Sequence, residues 1–230
     1  MNFAYLFLTL IWSVITISIY AVSKLIHQKI NHWWSSPIIM TPLTLGIFCL
    51  AAKIDYETYQ KSTSWLMMMI GPATVAFAVP IYEQRFLIKK FYKILVAAVI
   101  CGSIISVSSI IFLSSVLNLD SEISLSLVPH SVTTPFAIEI SDQIGGKKEL
   151  TAIFVAMTGI IGSLIGEAIL YSLPLKSKLA RGSAFGISSH AVGSNKAYKI
   201  DHEEGAIAAL AMIMVGIFVT LMTPIILKII

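Results

Sequence analysis

Charge is scarce in this 230-residue chain: Asp, Glu, Lys and Arg together make up 12% of it. A soluble domain carries about 25%, so a water-covered globular surface is excluded for most of the length. Cysteine is scarcer still. Cys49 and Cys101 both sit in apolar segments, which argues against a disulfide framework or a cysteine metal cluster and makes them small core residues. No phosphate-cradling glycine loop, metal-ligand spacing or nucleophile elbow occurs. The segment "GISSHAVG" sets serines beside a histidine, but neighbours on one stretch of chain rarely form a catalytic pair. Neither an enzyme, a cofactor, a metal nor a nucleic-acid partner is expected.

What the chain has in abundance is oil, with 57% hydrophobic residues. Apolar runs near the ~20-residue spanning length cover Phe3–Ser23, Thr63–Tyr82, Phe91–Leu117, Leu150–Tyr171 and Gly205–Leu227, and a shorter proline-bearing run covers Ser36–Ala52. The first run lacks a basic leader and a small-residue cleavage site, so it reads as a span and not as a signal peptide. The fold class is an all-α polytopic membrane protein in one membrane domain, 1–230. About six spanning helices are expected, in a lipid bilayer.

Lys and Arg gather on cytoplasmic loops. Lys24 and Lys29 put the first loop inside and the N-terminus outside. Arg85, Lys89, Lys90 and Lys93 mark a second inside loop, and Lys176, Lys178 and Arg181 a third. Between the last two, the runs Phe91–Leu117 and Leu150–Tyr171 already supply an even number of crossings. The segment 128–146 must therefore enter and leave on the outer side, or break before completing a crossing. The segment 182–200 is too polar and glycine-rich to face lipid and raises the same expectation from the inside.

A shift of 60 residues lays His130 on His190 and Gly145 on Gly205, with weaker apolar matches beyond. Residues 122–172 and 182–228 thus read as two repeat units, each holding one interrupted segment and one span, behind N-terminal helices in 1–118. An odd number of crossings per unit would invert one unit relative to the other, a recurring transporter plan. "GPATVAFAVP" (Gly71–Pro80) is a more distant echo.

The interrupted segments carry the chemistry. Pro129 and Pro135 remove amide donors, and Gly186 and Gly193 with their serines are expected to break the second segment. A broken helix leaves unpaired amides at the start of its second half, a seat for an anion. Ser131, Thr133, Thr134, Ser189, Ser194 and Asn195 add polar groups, His130 and His190 are donors or a titrating pair, and Lys196 is a cation. Together they form a candidate substrate site of carboxylate size. Glu139, Asp142 and Glu167 are candidates for coupling or gating. Intramembrane acids are functional candidates by default, although Glu167 lies late enough in its span to pair with Lys176.

Four stretches carry a resemblance: "IGPATVAFAVPIYEQ", "PHSVTTPFAIEISDQIGG", "TAIFVAMTGIIGSLIG" and "ARGSAFGISSHAVGSNKAYKIDHEEGA". On these the chain resembles the CidB/LrgB family of bacterial inner (cytoplasmic) membrane proteins, which is related to part of the plastid glycolate/glycerate translocator. The resemblance implies transport of small monocarboxylates such as pyruvate or glycolate. Alternatively it implies holin/antiholin-like control of murein hydrolase activity and autolysis. It also implies a small partner membrane protein of the CidA/LrgA type; a homo-oligomer is expected. The chain departs from the family pattern at His130 and Glu83, where lysine is common, at Lys196, where arginine is common, and at Glu167, where proline is common. A histidine at position 130 makes the positive charge there conditional on pH.

Overall fold

The computed structural model describes residues 3–30, 32–69, 72, 75, 78–83 and 85–229, and every regular element among them is helical. The helices are α1 (Phe3–Ile30), α2 (Pro37–Ala51), α3 (Tyr56–Met68), α4 (Ala78–Glu83), α5 (Arg85–Val116), α6 (Ser121–Leu127), α7 (Thr134–Ile144), α8 (Lys148–Ser172), α9 (Lys178–Ile200) and α10 (His202–Ile229), with a 3₁₀ turn at Trp33–Ser35. Four are long and apolar enough to cross a bilayer: Phe7–Ile30 of α1, Lys89–Val116 of α5, Lys148–Leu170 of α8 and His202–Lys228 of α10. They coincide with four of the apolar runs. Helix α2 carries the shorter run, and Thr63–Tyr82 and Gly71–Pro80 fall partly outside the described residues. The chain is a multi-pass membrane protein.

The chain forms two compact units, Met1–Ala73 and Thr74–Ile230. In the first, α1 packs on α2 and α3 around Trp12, whose ring meets the edges of Phe48 and Tyr59. The Trp65 indole N–H donates to Ser13 Oγ at 2.7 Å, which satisfies the polar end of a large apolar ring.

The second unit is built on α5, α8 and α10, with two helical hairpins hung between them. The first hairpin is α6, a turn over 128–133, and α7. Its ends lie together: Lys147 N–H donates to Ser126 Oγ at 2.8 Å, and Lys147 Nζ pairs with Glu122 at 2.6 Å. An unbroken helix over this stretch would separate its ends by roughly 30 Å at 1.5 Å per residue. Helix α7 closes on Gly145, whose φ of 89° is left-handed and suits a residue without Cβ.

The second hairpin is α9 itself. Its 23 residues would span about 34 Å if straight, yet Lys178 at its start pairs with Asp201 just past its end at 2.8 Å, and with Glu203 at 3.3 Å. The chain folds back at His190, which has φ 38° and ψ −125°. One leg runs over 178–189 and the other over 191–200. Gly186 and Gly193, which were expected to break this helix, instead serve packing. A Cβ on Gly186 would stand 2.2 Å from the Ala208 carbonyl oxygen, and one on Gly193 2.4 Å from that of Phe185.

Because α8 crosses the membrane, its two ends lie on opposite faces. The first hairpin leads into the start of α8 and the second follows its end, so the two approach that helix from its opposite ends.

Candidate functional site

The tips of the two hairpins come within one turn of each other along α5. On α5, Gly102 lies against Ile187 of the second hairpin, and one turn further Ser106 meets His130 of the first. On α8, Thr151 holds the open end of the first hairpin at Ser126 and Ser141, and one turn on the Val155 carbonyl holds the tip of the second. On α10, Gly182 and Gly186 of the second hairpin press on 204–208, whereas Phe136 of the first sits against Gly216. Val132 at the first tip, Val155 and Ile187 share one apolar cluster.

His190 is 4% exposed, and its Nε2–H donates to the Val155 carbonyl at 2.9 Å. A carbonyl only accepts, so the proton is on Nε2 and Nδ1 is left as an acceptor. Gly159 makes room for this: a Cβ there would stand 2.6 Å from His190 Cε1. One turn on, Gly162 does the same for Ser189 Oγ. The backbone conformation at His190 is one that L residues rarely adopt and costs ~1–3 kcal/mol. It is held by the Val155 bond and by Ser194 Oγ–H, which donates to the His190 carbonyl at 2.8 Å.

At the other tip, His130 Nδ1–H donates to the Leu127 carbonyl at 3.0 Å, and Nε2 faces Ser106 Oγ at 3.4 Å. Ser131 is 3% exposed and its hydroxyl has no partner among the described residues. Thr133 is buried and caps α7 through its backbone alone, without a side-chain bond. Pro135 starts α7 by occupying its first turn and does not interrupt a helix. The amides of Thr134 and Phe136 begin α7, where intrahelical acceptors are lacking.

Not every expected residue joins this convergence. Asn195 is exposed, because on the returning leg it faces away from α8 and α10. Ser194 is occupied at the kink. Glu139 is exposed and accepts from Gln143 Nε2 at 3.0 Å, and Asp142 pairs with Lys148 at 2.9 Å; both stand at the face where the first hairpin enters. Glu167 pairs with Lys196 at 2.7 Å, not with Lys176. Two departures from the family pattern are thus partners of each other. At the opposite mouth Lys178 holds the Asp201 carboxyl below its usual range, and Asp201 in turn accepts from the amides of Glu203 and Glu204.

Gly159, Gly162 and Thr151 went unnoticed in the sequence as site residues. The signal for the two glycines was the small-residue spacing of "TGIIGSLIG", which lets another backbone approach a membrane helix; Thr151 lies outside it. Among the described residues no cluster of His, Cys, Asp or Glu could hold a metal ion.

Two helical hairpins packed among three apolar helices of spanning length define a class of multi-pass membrane protein. The profile of the LrgB-like family matches residues 16–229, and the chain belongs to that family. It is 32% identical to uncharacterized protein YwbG of Bacillus subtilis (strain 168), over 97% of this chain and 99% of that one. It is 30% identical to holin-like protein CidB of Staphylococcus epidermidis, over 92% and 93%. With antiholin-like protein LrgB of Bacillus subtilis it shares 29% identity over 94% of each. No solved structure matches the chain significantly.

Proposed function

We propose that this protein moves small monocarboxylate anions of the pyruvate or glycolate kind across the bacterial inner membrane, through the space between the two hairpin tips. The observation that carries the reading is the convergence of two interrupted helices from opposite faces, with the Ser131 hydroxyl buried and unpartnered at one tip. A buried hydroxyl without a partner is costly, and a carboxylate oxygen would satisfy it. In this reading Ser131, Thr133, Thr134 and the first amides of α7 hold one side of the carboxylate. The Ser189 hydroxyl lines the other, His190 fixes the tip beside it through its bond to Val155, and His130 sets the local charge. The positive end of the α7 dipole favours the anion. The first hairpin enters from outside and the second from the cytoplasm, with the N-terminus outside.

The test is uptake of labelled pyruvate, glycolate and lactate into proteoliposomes, with and without a small CidA/LrgA-type membrane protein. Saturable flux that is lost in Thr134→Val supports the reading; its absence removes it.

The names of two relatives, holin-like CidB and antiholin-like LrgB, back a second reading more directly: a homo-oligomeric holin- or antiholin-like modulator of murein hydrolase activity and autolysis. That reading expects dye leakage that does not saturate and is indifferent to substitution at His190.

A further inference from the structure

We infer that Glu167 is a built-in competitor for the transported anion, keeping Lys196 occupied until a substrate carboxylate takes its place. The inference rests on the transport reading above.

Among the described residues, the other ion pairs of the second unit sit at helix ends. Glu122–Lys147 and Asp142–Lys148 stand at one face, and Lys178–Asp201, Lys178–Glu203 and Arg181–Glu204 at the other. Glu167–Lys196 lies about a turn further in than the second group. Lys196 is six residues past His190, roughly 9 Å down the returning leg at 1.5 Å per residue. It therefore stands on the way from the tips to the face where the second hairpin enters. The two side chains are 33% and 28% exposed, so the pair is not sealed inside the protein.

A mere staple is redundant here, because the hairpin is already seated on α8 through the Val155 carbonyl and the approach at Gly159 and Gly162. The electrostatics favour exchange. A lone ammonium at membrane depth is costly, and so is a lone carboxylate. Swapping one carboxylate for another at Lys196 keeps the cation paired throughout, while the released Glu167 turns to its partly exposed side. No bond is made or broken and no co-reactant is needed. Lys196 is thus a second station for the anion, and Glu167 sets how tightly that station holds.

The test uses the full chain in proteoliposomes with labelled pyruvate as the probe. Glu167→Gln should lower KM about three- to tenfold, as expected for removing a partly screened competitor, while Vmax falls because release from Lys196 slows. Lys196→Gln should raise KM. The charge swap, Glu167→Lys with Lys196→Glu, should fail to restore flux, since it sets a carboxylate on the hairpin leg. In detergent, pyruvate should shift the melting temperature of Glu167→Gln more than that of the wild type. An unchanged KM in Glu167→Gln overturns the inference, as does equal loss in both single variants that the charge swap repairs; either marks a staple. A wild type without saturable pyruvate flux removes the transport reading itself, and this inference with it.

Discussion

Gly159→Ala places a methyl group where the second hairpin tip rests on α8, and its cost can be worked from the geometry. The added Cβ would stand 2.6 Å from His190 Cε1, 2.8 Å from Val192 Cγ2 and 3.1 Å from His190 Nε2. Carbon atoms prefer about 3.5–4.0 Å, so the ring must retreat by about 1 Å. That breaks the 2.9 Å bond to the Val155 carbonyl, leaving a buried donor unpaired at ~1–3 kcal/mol, with ~1–3 kcal/mol more for overpacking. Alanine returns up to ~1 kcal/mol through helix propensity. The net expectation is about 2–4 kcal/mol of destabilisation. Gly46→Ala in α2 is the control: nothing lies within 4 Å of its Cβ position, so only the propensity gain of up to ~1 kcal/mol remains. Unfolding in detergent should be followed by far-ultraviolet dichroism, because all four tryptophans lie in the first unit. If Gly159→Ala melts like the wild type while Gly46→Ala behaves as expected, the tip is not seated on α8 and the convergence argument fails.

Three further outcomes follow from the same geometry. Thr151 is fully buried and its hydroxyl lies within 3.0 Å of the Ser126 and Lys147 carbonyls and 2.7 Å from Ser141 Oγ. Thr151→Val should therefore cost ~1–3 kcal/mol by stranding those groups, read by the same melts; a neutral result would detach the first hairpin from α8. The Asp201 carboxyl is held low by Lys178, so its contribution is full above the ordinary carboxylate value and fades as pH falls through the lowered one. Asp201→Asn should be less stable than wild type at pH 7 and should lack that part of the acid-side decline; parallel curves would refute this. In a background with Cys49 and Cys101 replaced, cysteines at Lys147 and Ser177 should react with an impermeant maleimide from opposite sides of sealed vesicles. Reaction from one side would contradict the opposed entry of the hairpins.

Much of this arrangement was legible in the sequence, because oil and charge impose it. A run of some twenty apolar residues has few places to go, and parity of crossings between basic loops forced 128–146 to turn back. The site was less legible. Gly186 and Gly193 look like breakers in one dimension, but a missing side chain serves close packing as readily as bending, and only the three-dimensional neighbour decides between them. His190 carries the actual bend, and histidine has no strong preference for such a backbone; what fixes it is a carbonyl 35 residues upstream. Asn195, Lys196 and Glu167 were ambiguous for the same reason. Which way a residue faces on a nine- or ten-residue leg depends on where the fold-back falls, and an error of one position turns it by about 100°.

Helix α8 carries both hairpins within one stretch, the first at Thr151 and the second from Val155 to Gly162. A rigid rod gripped by two plugs works as a balance beam. Tilting it about mid-depth would carry the outer plug and the inner plug in opposite senses relative to α5 and α10. On the transport reading, a passage loosened toward one compartment would then be tightened toward the other by the same movement, without a separate latch to keep both from opening together.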